Sequence, residues 1–285
     1  MTSKGTVFVT GSSSGIGRAT VERLAGDGYF TVAGVRKDGD TPEVASANAV
    51  LDLSNQDTIG PACDKVLRLA DDNGGLVGVV NNAGIIVSGP GELLEIEEWR
   101  RQFEVNLFGH LVVSRALLPA LADTKGCLVN IGSIGGRISM PFLGPYSASK
   151  FAMRAWSDAL RFELKPHGVR VVLVEPGAIA TPIWSKGNTD ADKLEAGLSG
   201  EQRARYGLQV TAARNLARFA ERNAVSPDEV ARVIANALVN PRPGGHYLVG
   251  RDAWIQALIT LLPTRLADAL TEQLMRLAGE GGPLK

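Results

Sequence analysis

Cysteine is nearly missing from this chain. Cys63 and Cys127 are the only two in 285 residues, too few and too far apart for a disulfide framework or a thiolate zinc site. Histidine is almost as scarce: His110, His167 and His246 fall in no H-x-x-x-H or H-E-x-x-H pattern, so no metal centre is expected. Excess charge is absent too, since 30 Lys+Arg balance 30 Asp+Glu. A nucleic-acid binder would need a basic surplus to neutralise phosphates, so that class is set aside. Long apolar runs are missing near both ends. Met1 to Thr10 enters a strand-like TVFVT with no apolar stretch before it, as a secretory leader would have. Ala253 to Leu262, broken by Gln256, reaches half of the ~20 residues that a bilayer span needs. No Pro- or Ser-rich linker and no repeat divides the chain, which predicts one domain over residues 1–285. The expectation is a cytoplasmic protein in a reducing compartment, without a transmembrane span.

What the chain does have is glycine, 33 residues with no G-X-Y period. Glycine set where strands end brings backbone close to a ligand. Short β-branched runs alternate with helical stretches, the pattern of an α/β protein with a parallel sheet. Predicted strands are Thr6–Thr10, Thr31–Val35, Ala49–Asp52, Val77–Asn81, Leu128–Ile131, Val169–Val174 and Tyr247–Val249. Most are unbroken apolar runs, as strands covered on both faces should be. Predicted helices are Ile16–Ala25, Gln56–Ala70, Trp99–Leu121, Ser147–Leu164 and Pro227–Val239. Right-handed crossovers then give a Rossmann-type doubly wound sheet of about seven strands, with helices on both faces.

Two regions break the alternation. Residues 178–223 read as polar and irregular, an insertion expected to act as a substrate lid. Residues 253–280 form a tail carrying Trp254, Ile255, Leu258, Leu261, Leu262, Leu266 and Leu270. The direct reading is a helical extension that covers the sheet edge or the pocket; a membrane-surface helix and a dimer contact are the alternatives.

Thr10-Gly11-Ser12-Ser13-Ser14-Gly15-Ile16-Gly17 follows the first strand and opens the first helix. Gly11 permits the turn, Gly15 lets backbone approach a pyrophosphate, and Gly17 lets helix and strand pack closely. The helix N-terminus offers free N–H groups and a positive dipole end, and Ser12, Ser13 and Ser14 add hydroxyl donors. The spacing is G-x-x-x-G-x-G, and no G-K-[ST] follows, so it is not a Walker loop.

At this point the chain resembles the short-chain dehydrogenase/reductase family, in the branch marked by T-G-x-x-x-G-x-G. The resemblance continues through Asn81-Asn82-Ala83-Gly84, Asn106, Ser133, Tyr146-x-x-x-Lys150 and Pro176-Gly177 with Thr181. It implies an NAD(P)-dependent oxidoreductase acting on an alcohol/carbonyl pair, with Asn82, Ala83 and Gly84 beside the cofactor and Asp52-Leu53 at its adenine. It further implies that Pro176, Gly177, Ile179 and Thr181 hold the carboxamide end. Asn106 would bond a water in a proton relay, and Lys150 would hold the nicotinamide ribose.

The second strand ends at Val35 and is followed by Arg36-Lys37, where an NAD-binding protein would carry an acidic residue for the ribose 2′-OH. A guanidinium suits a 2′-phosphate, which favours NADP(H) over NAD(H). Asp38 and Asp40 keep NAD open should the strand run further.

Tyr146 and Lys150 lie one helical turn apart and share a face. A tyrosine of pKa ~10 is a poor base, and a neighbouring ammonium is expected to lower that value. Tyr146 then acts as general acid/base, and Ser133 hydrogen-bonds the same substrate oxygen. Met140, Phe142, Ile183 and Trp184 are the expected pocket residues, bulky and apolar, which points to a hydrophobic alcohol or ketone of steroid, retinoid or lipid type. The Phe151–Leu164 stretch is apolar on more than one face, which predicts a homodimer or homotetramer. Two rivals stand beside this reading. One is a non-catalytic NADP-binding regulatory or redox-sensing protein, the other a nucleotide-sugar epimerase or dehydratase.

Overall fold

The computed structural model describes residues 3–183, 192 and 196–279. Seven strands form one parallel sheet: β1 Thr6–Thr10, β2 Phe30–Val35, β3 Ala47–Val50, β4 Leu76–Asn81, β5 Cys127–Ile131, β6 Arg170–Pro176 and β7 His246–Val249. Their spatial order is β3-β2-β1-β4-β5-β6-β7. The order reverses between β1 and β4, and open α/β sheets bind ligands outside the carboxyl ends of the strands at such a reversal.

Period-2 alternation within each strand feeds two separate cores. Val7, Val9, Val80, Val129 and Val174 face α1 (Gly15–Gly26) and α7 (Pro227–Val239), which contribute Val21, Leu24, Val230 and Ile234. Phe8, Val32, Val79 and Leu128 face the other way, toward α2 (Gln56–Asp72), α4 (Gly109–Asp123) and α5 (Gly144–Leu164). Each large apolar side chain buried this way stabilises by about 1.5–3 kcal/mol. A chain of buried polar groups crosses the second layer: Asn81 Nδ2 donates to Ser114 Oγ and Asn130 Oδ1, and Asn130 Nδ2 donates to Ser157 Oγ, each at 2.8 Å. Asn81 Oδ1 is left without a partner among the described residues, but the three bonds tie β4, β5, α4 and α5 together beneath the site.

The structure departs from the sequence reading in four places. The stretch read as one helix, Trp99–Leu121, is α3 (Ile96–Phe103), a π turn at Glu104–Phe108, and α4. The combined helix Ile96–Asp123 is long and apolar enough to cross a membrane, yet its Val113, Leu117 and Leu121 are packed into the second core. Strand β3 ends at Val50, two residues before the expected Asp52, because Asp52 is drawn into a turn in which its carboxylate accepts from Ser54 and its N donates to Thr58 Oγ1. The insertion is not irregular throughout: α6 (Gly200–Arg222) opens on a capping box in which Ser199 and Gln202 satisfy each other's backbone N–H groups.

The tail does form two helices, α8 (Arg251–Ile259) and α9 (Thr264–Gly279). Its apolar residues, however, are not core. Trp254, Ile255, Leu258, Leu261, Leu262, Leu266 and Leu270 are all exposed; only Ala253 and Ala278 are buried. Helix α9 meets α6 through small residues, with Asn215 Nδ2 donating to Ala278 O at 2.8 Å.

Candidate active site

The first wall of the cleft is the loop between β1 and α1. Ser14 is the N-cap residue of α1 but makes no side-chain cap hydrogen bond, and no acidic residue sits in the first turn. The hydroxyl that would normally satisfy an N-terminal N–H is therefore free, and the positive end of the helix has no resident anion. Gly15 has φ +55°, and a Cβ there would lie 2.8 Å from Thr181 Cγ2. The turn after β6 thus lies directly across the loop. Ser13 and Ser14 face outward, Ile16 is half-buried and Gly17 is packed beneath them. Ser12, in contrast to the sequence reading, is not a free donor: it is buried, and its hydroxyl donates to Val9 O at 2.6 Å.

Asn82 locks this loop to β4. Its Nδ2 donates to Thr10 O at 2.8 Å and to Gly11 O at 3.1 Å, while Thr10 Oγ1 accepts from Asn82 N and Ala83 N. Ala83 packs against Gly11, and Gly84 lies beside Asn106. Arg36 is exposed and is the first residue after β2. Asp38, its possible competitor, is engaged in a short turn and accepts from Asn48 Nδ2 at 2.6 Å. Burial works against the charged form of Asp52, but hydrogen bonds from Ser54 and the Arg36 guanidinium outweigh it and hold the carboxyl below its ordinary value. Leu53, next to it, is buried.

The opposite wall is β5 with α5. Ser133 stands at the head of a one-turn helix, Ile134–Gly136, and its Oγ accepts from Gly135 N at 3.0 Å. The same hydroxyl and the Tyr146 ring both pack against Gly135, and Ser133 favours the ionised form of the phenol. Lys150 is buried; its Nζ donates to Ile131 O at 2.8 Å and lies 5.9 Å from the centre of the Tyr146 ring. Asn106 occupies the π turn, where such a bulge often marks a functional position. Its Oδ1 accepts from Ile85 N at 2.9 Å and its Nδ2 donates to Ile85 O and to Ser149 Oγ, so its side chain is fully engaged. All four residues come together at one end of the sheet.

The electrostatics correct one expectation. Burial raises the Tyr146 phenol above its ordinary 10, and the neighbouring Ser133 side chain offsets part of that rise. Lys150 does not supply that lowering. Its own pKa is pushed down to about 8 by burial. His110, fully buried behind the site with Nε2 3.4 Å from Thr10 Oγ1, is driven to about 3 by burial and by the Lys150 charge, and so stays neutral.

Pro176 ends β6, Gly177 N donates to Val249 O at 2.9 Å, and Ile179 bridges to Val225. Sequence reasoning missed Asp252, whose Oδ2 accepts from Ala178 N at 2.7 Å and pins this turn from the first turn of α8. Its signal was an Asp two residues past Gly250, a helix-start pattern. Met140, Phe142 and Ile183 are half-buried; Trp184 lies outside the described residues. Phe142 holds φ +67°, an uncommon conformation for a bulky side chain, with its carbonyl accepting from Gly89 N at 2.9 Å.

The comparisons agree with this geometry. The short chain dehydrogenase family profile matches residues 5–192. The chain is 35% identical to an NADPH-dependent 3-dehydrocapnine reductase of Ornithobacterium rhinotracheale, over 92% of this chain and 94% of the relative. It is 32% identical to retinol dehydrogenase 16 of Mus musculus, over 93% and 86% of the two chains. Among solved structures, a short chain dehydrogenase from Burkholderia cenocepacia J2315 in complex with NADP superposes with TM-score 0.72 at 25% identity, covering 95% of this chain and 99% of that one. With the glycine loop, the Ser-Tyr-Lys cluster and a profile match across most of the sheet, the chain is an oxidoreductase of the short chain dehydrogenase family.

Proposed function

We propose that the protein transfers a hydride reversibly between NADP(H) and a hydrophobic alcohol or ketone, with Tyr146 as the proton donor and acceptor. The observation that carries this reading is the convergence of Ser133, Tyr146 and the buried Lys150 at one end of the sheet, opposite an uncapped helix N-terminus. The cleft fits a dinucleotide. Gly11, Ser13, Ser14, Gly15, Ile16 and Gly17 hold the pyrophosphate on N–H groups that no protein cap takes. Asn82, Ala83 and Gly84 line the middle, and Asp52 and Leu53 flank the adenine. Pro176, Gly177, Ile179 and Thr181 face the carboxamide end. When bound, the nicotinamide nucleotide supplies or accepts the hydride.

The chain's own residues handle the proton and the oxygen. Ser133 donates to the substrate oxygen and holds it against Tyr146, stabilising negative charge as it develops. Tyr146 gives up or takes the phenolic proton at that oxygen. Lys150 holds the nicotinamide ribose, and a pKa near 8 lets it return a proton to Tyr146 at neutral pH. Asn106, its side chain held by Ile85 and Ser149 at the π turn, takes the relay-water position beside Lys150. Arg36 pairs with the 2′-phosphate, which supports NADP(H) over NAD(H), in keeping with the NADPH-dependent relative.

Met140, Phe142 and Ile183 give the cleft an apolar lining suited to a steroid-, retinoid- or lipid-like carbonyl, in keeping with the retinol dehydrogenase relative. Residues 178–223 serve as lid and 253–280 as an accessory tail on a single catalytic domain. A groove of about 390 Å³ between α4 and α5, lined by Leu111, Leu118, Trp156, Leu160 and Leu164, supports pairing of two copies through these helices. Buried free thiols at Cys63 and Cys127 fit a reducing, cytoplasmic setting.

The test is a carbonyl panel of retinal, a 3-ketosteroid and long-chain aldehydes, followed by NADPH and NADH absorbance. Oxidation of NADPH with at least one lipophilic carbonyl is the expected outcome. Cofactor binding without turnover on any of them would favour a sensor instead.

A further inference from the structure

Glu175 has no exposed side-chain surface, yet no step proposed above uses it. It sits in β6, one residue before Pro176, and its two carboxylate oxygens accept from Arg137 Nε, at 2.8 Å, and Arg137 Nη2. Arg137 closes the single helical turn that Ser133 opens: Gly136 N donates to Ser133 O, and Arg137 N to Ile134 O, both at 2.9 Å. That turn lies flat on α5, since a Cβ on Gly136 would come within 2.8 Å of Lys150 O and one on Gly135 within 3.2 Å of Tyr146 Cε1. On its other side Glu175 Oε2 meets His246 Nδ1 at 3.0 Å, and His246 Nε2 meets Asp158 Oδ1 at 2.7 Å. Arg137 Nη2 also stands 3.3 Å from His246 Nδ1, and Asp158 pairs with Arg161 on α5. One buried carboxylate thus ties the Ser133 turn, β6, β7 and the Tyr146 helix to one point.

Taking the Ser133–Tyr146 pair as the proton-transfer site, as proposed above, we infer that Arg137 and Glu175 are positioning residues. Their ion pair, extended through His246 to Asp158, sets the Ser133 hydroxyl against the Tyr146 phenol. A bidentate guanidinium–carboxylate pair has a fixed fork geometry, which a compact ammonium reproduces only in part. A buried ion pair is weak evidence for stability but suits the fixing of one arrangement. Small misplacement of a proton-transfer group has large kinetic effects.

The test is NMR of the full chain labelled at tyrosine ¹³Cζ, with the Tyr146 resonance assigned by Tyr146→Phe. Ser133→Ala should move that resonance by removing the hydroxyl that stands beside the phenol. Arg137→Gln should move it in the same direction, Arg137→Lys should restore it in part, and Tyr29 and Tyr206 should hold their wild-type positions as reporters of the fold. If Arg137→Gln does not fold, His246→Gln replaces it and should give a smaller shift of the same sign. With a carbonyl that wild type reduces, Arg137→Gln should lower kcat about tenfold while KM for NADPH stays within about twofold. A folded Arg137→Gln, or its His246→Gln substitute, with an unshifted Tyr146 resonance overturns the inference, as does a Ser133→Ala that leaves Tyr146 unmoved. Failure of wild type to reduce any carbonyl counts against the oxidoreduction reading alone, because the resonance is read without turnover.

Discussion

Helices α5 and α9 are of similar length and both carry apolar stripes, but they sit in opposite environments. Helix α5 buries Ser147, Ser149, Lys150, Met153, Ser157 and Leu160, and Lys150, Ser149 and Ser157 bond to Ile131 O, Asn106 and Asn130. Helix α9 buries only Ala278 and leaves Leu266, Leu270, Leu274 and Leu277 exposed. The face of the first that carries the reacting groups is held by the sheet, the π turn and the Ser133 turn, while Phe151 and Phe162 on its far side stay exposed. The second rests on α6 through small side chains, and α6 in turn is tied to the loop before α3 by exposed contacts of Arg205 and Tyr206 with Glu92. Precision for proton transfer belongs to the first kind of element, and the second lacks the buried contacts that such precision needs.

That contrast can be broken in four ways. Lys150→Ala removes the cation beside Tyr146 and should lower kcat/KM by about 10³-fold, within the range general acid–base groups supply, as read by NADPH oxidation. Met153→Ala, in the buried face of α5, should cost about 2–5 kcal/mol in urea unfolding, whereas Leu266→Ala on α9 should stay within about 0.5 kcal/mol. Equal losses at the two positions would mean that α9 is covered in solution by something the isolated chain supplies. Arg36→Ala should raise KM for NADPH about tenfold or more and change KM for NADH far less, since NADH has no 2′-phosphate for the guanidinium to pair with.

The smallest effect is in pH. Hydrogen bonds to Glu175 and Asp158 raise His246 above its ordinary 6.5. A histidine raised in the folded state stabilises fully below its unfolded value and loses that contribution as pH rises through the folded one. Melting temperature should therefore fall on going from pH 6.5 to alkaline pH, by less in His246→Gln than in wild type. Lys150, lowered to about 8, acts in the opposite sense at higher pH, so the difference between the two proteins is the quantity to read.

Much of the sheet and of the site was legible in the chain because local rules and global position agree there. The run TVFVT, the loop after it and Pro227–Val239 lie where periodicity and capping signals put them. The π turn at Glu104–Phe108 was not legible, since no residue type marks an extra backbone residue inside an apolar helix. Helix α6 did leave a signal, the Ser199–Gln202 box, but its weakly amphipathic run of Arg and Gln hid it. The tail misled for the converse reason: its stripe has helical period, and period alone does not say what covers it. Spacing brought Tyr146 and Lys150 together, but burial, which no spacing reveals, decides the direction in which each titrates.

The most direct measurement compares Tyr146→Phe with wild type for NADPH affinity, by fluorescence titration, and for carbonyl reduction in the same preparation. Removing only the hydroxyl should leave the dissociation constant within about twofold and lower kcat by about 10²–10⁴-fold. A variant that binds NADPH normally and still turns over at the wild-type rate would contradict the role given to Tyr146.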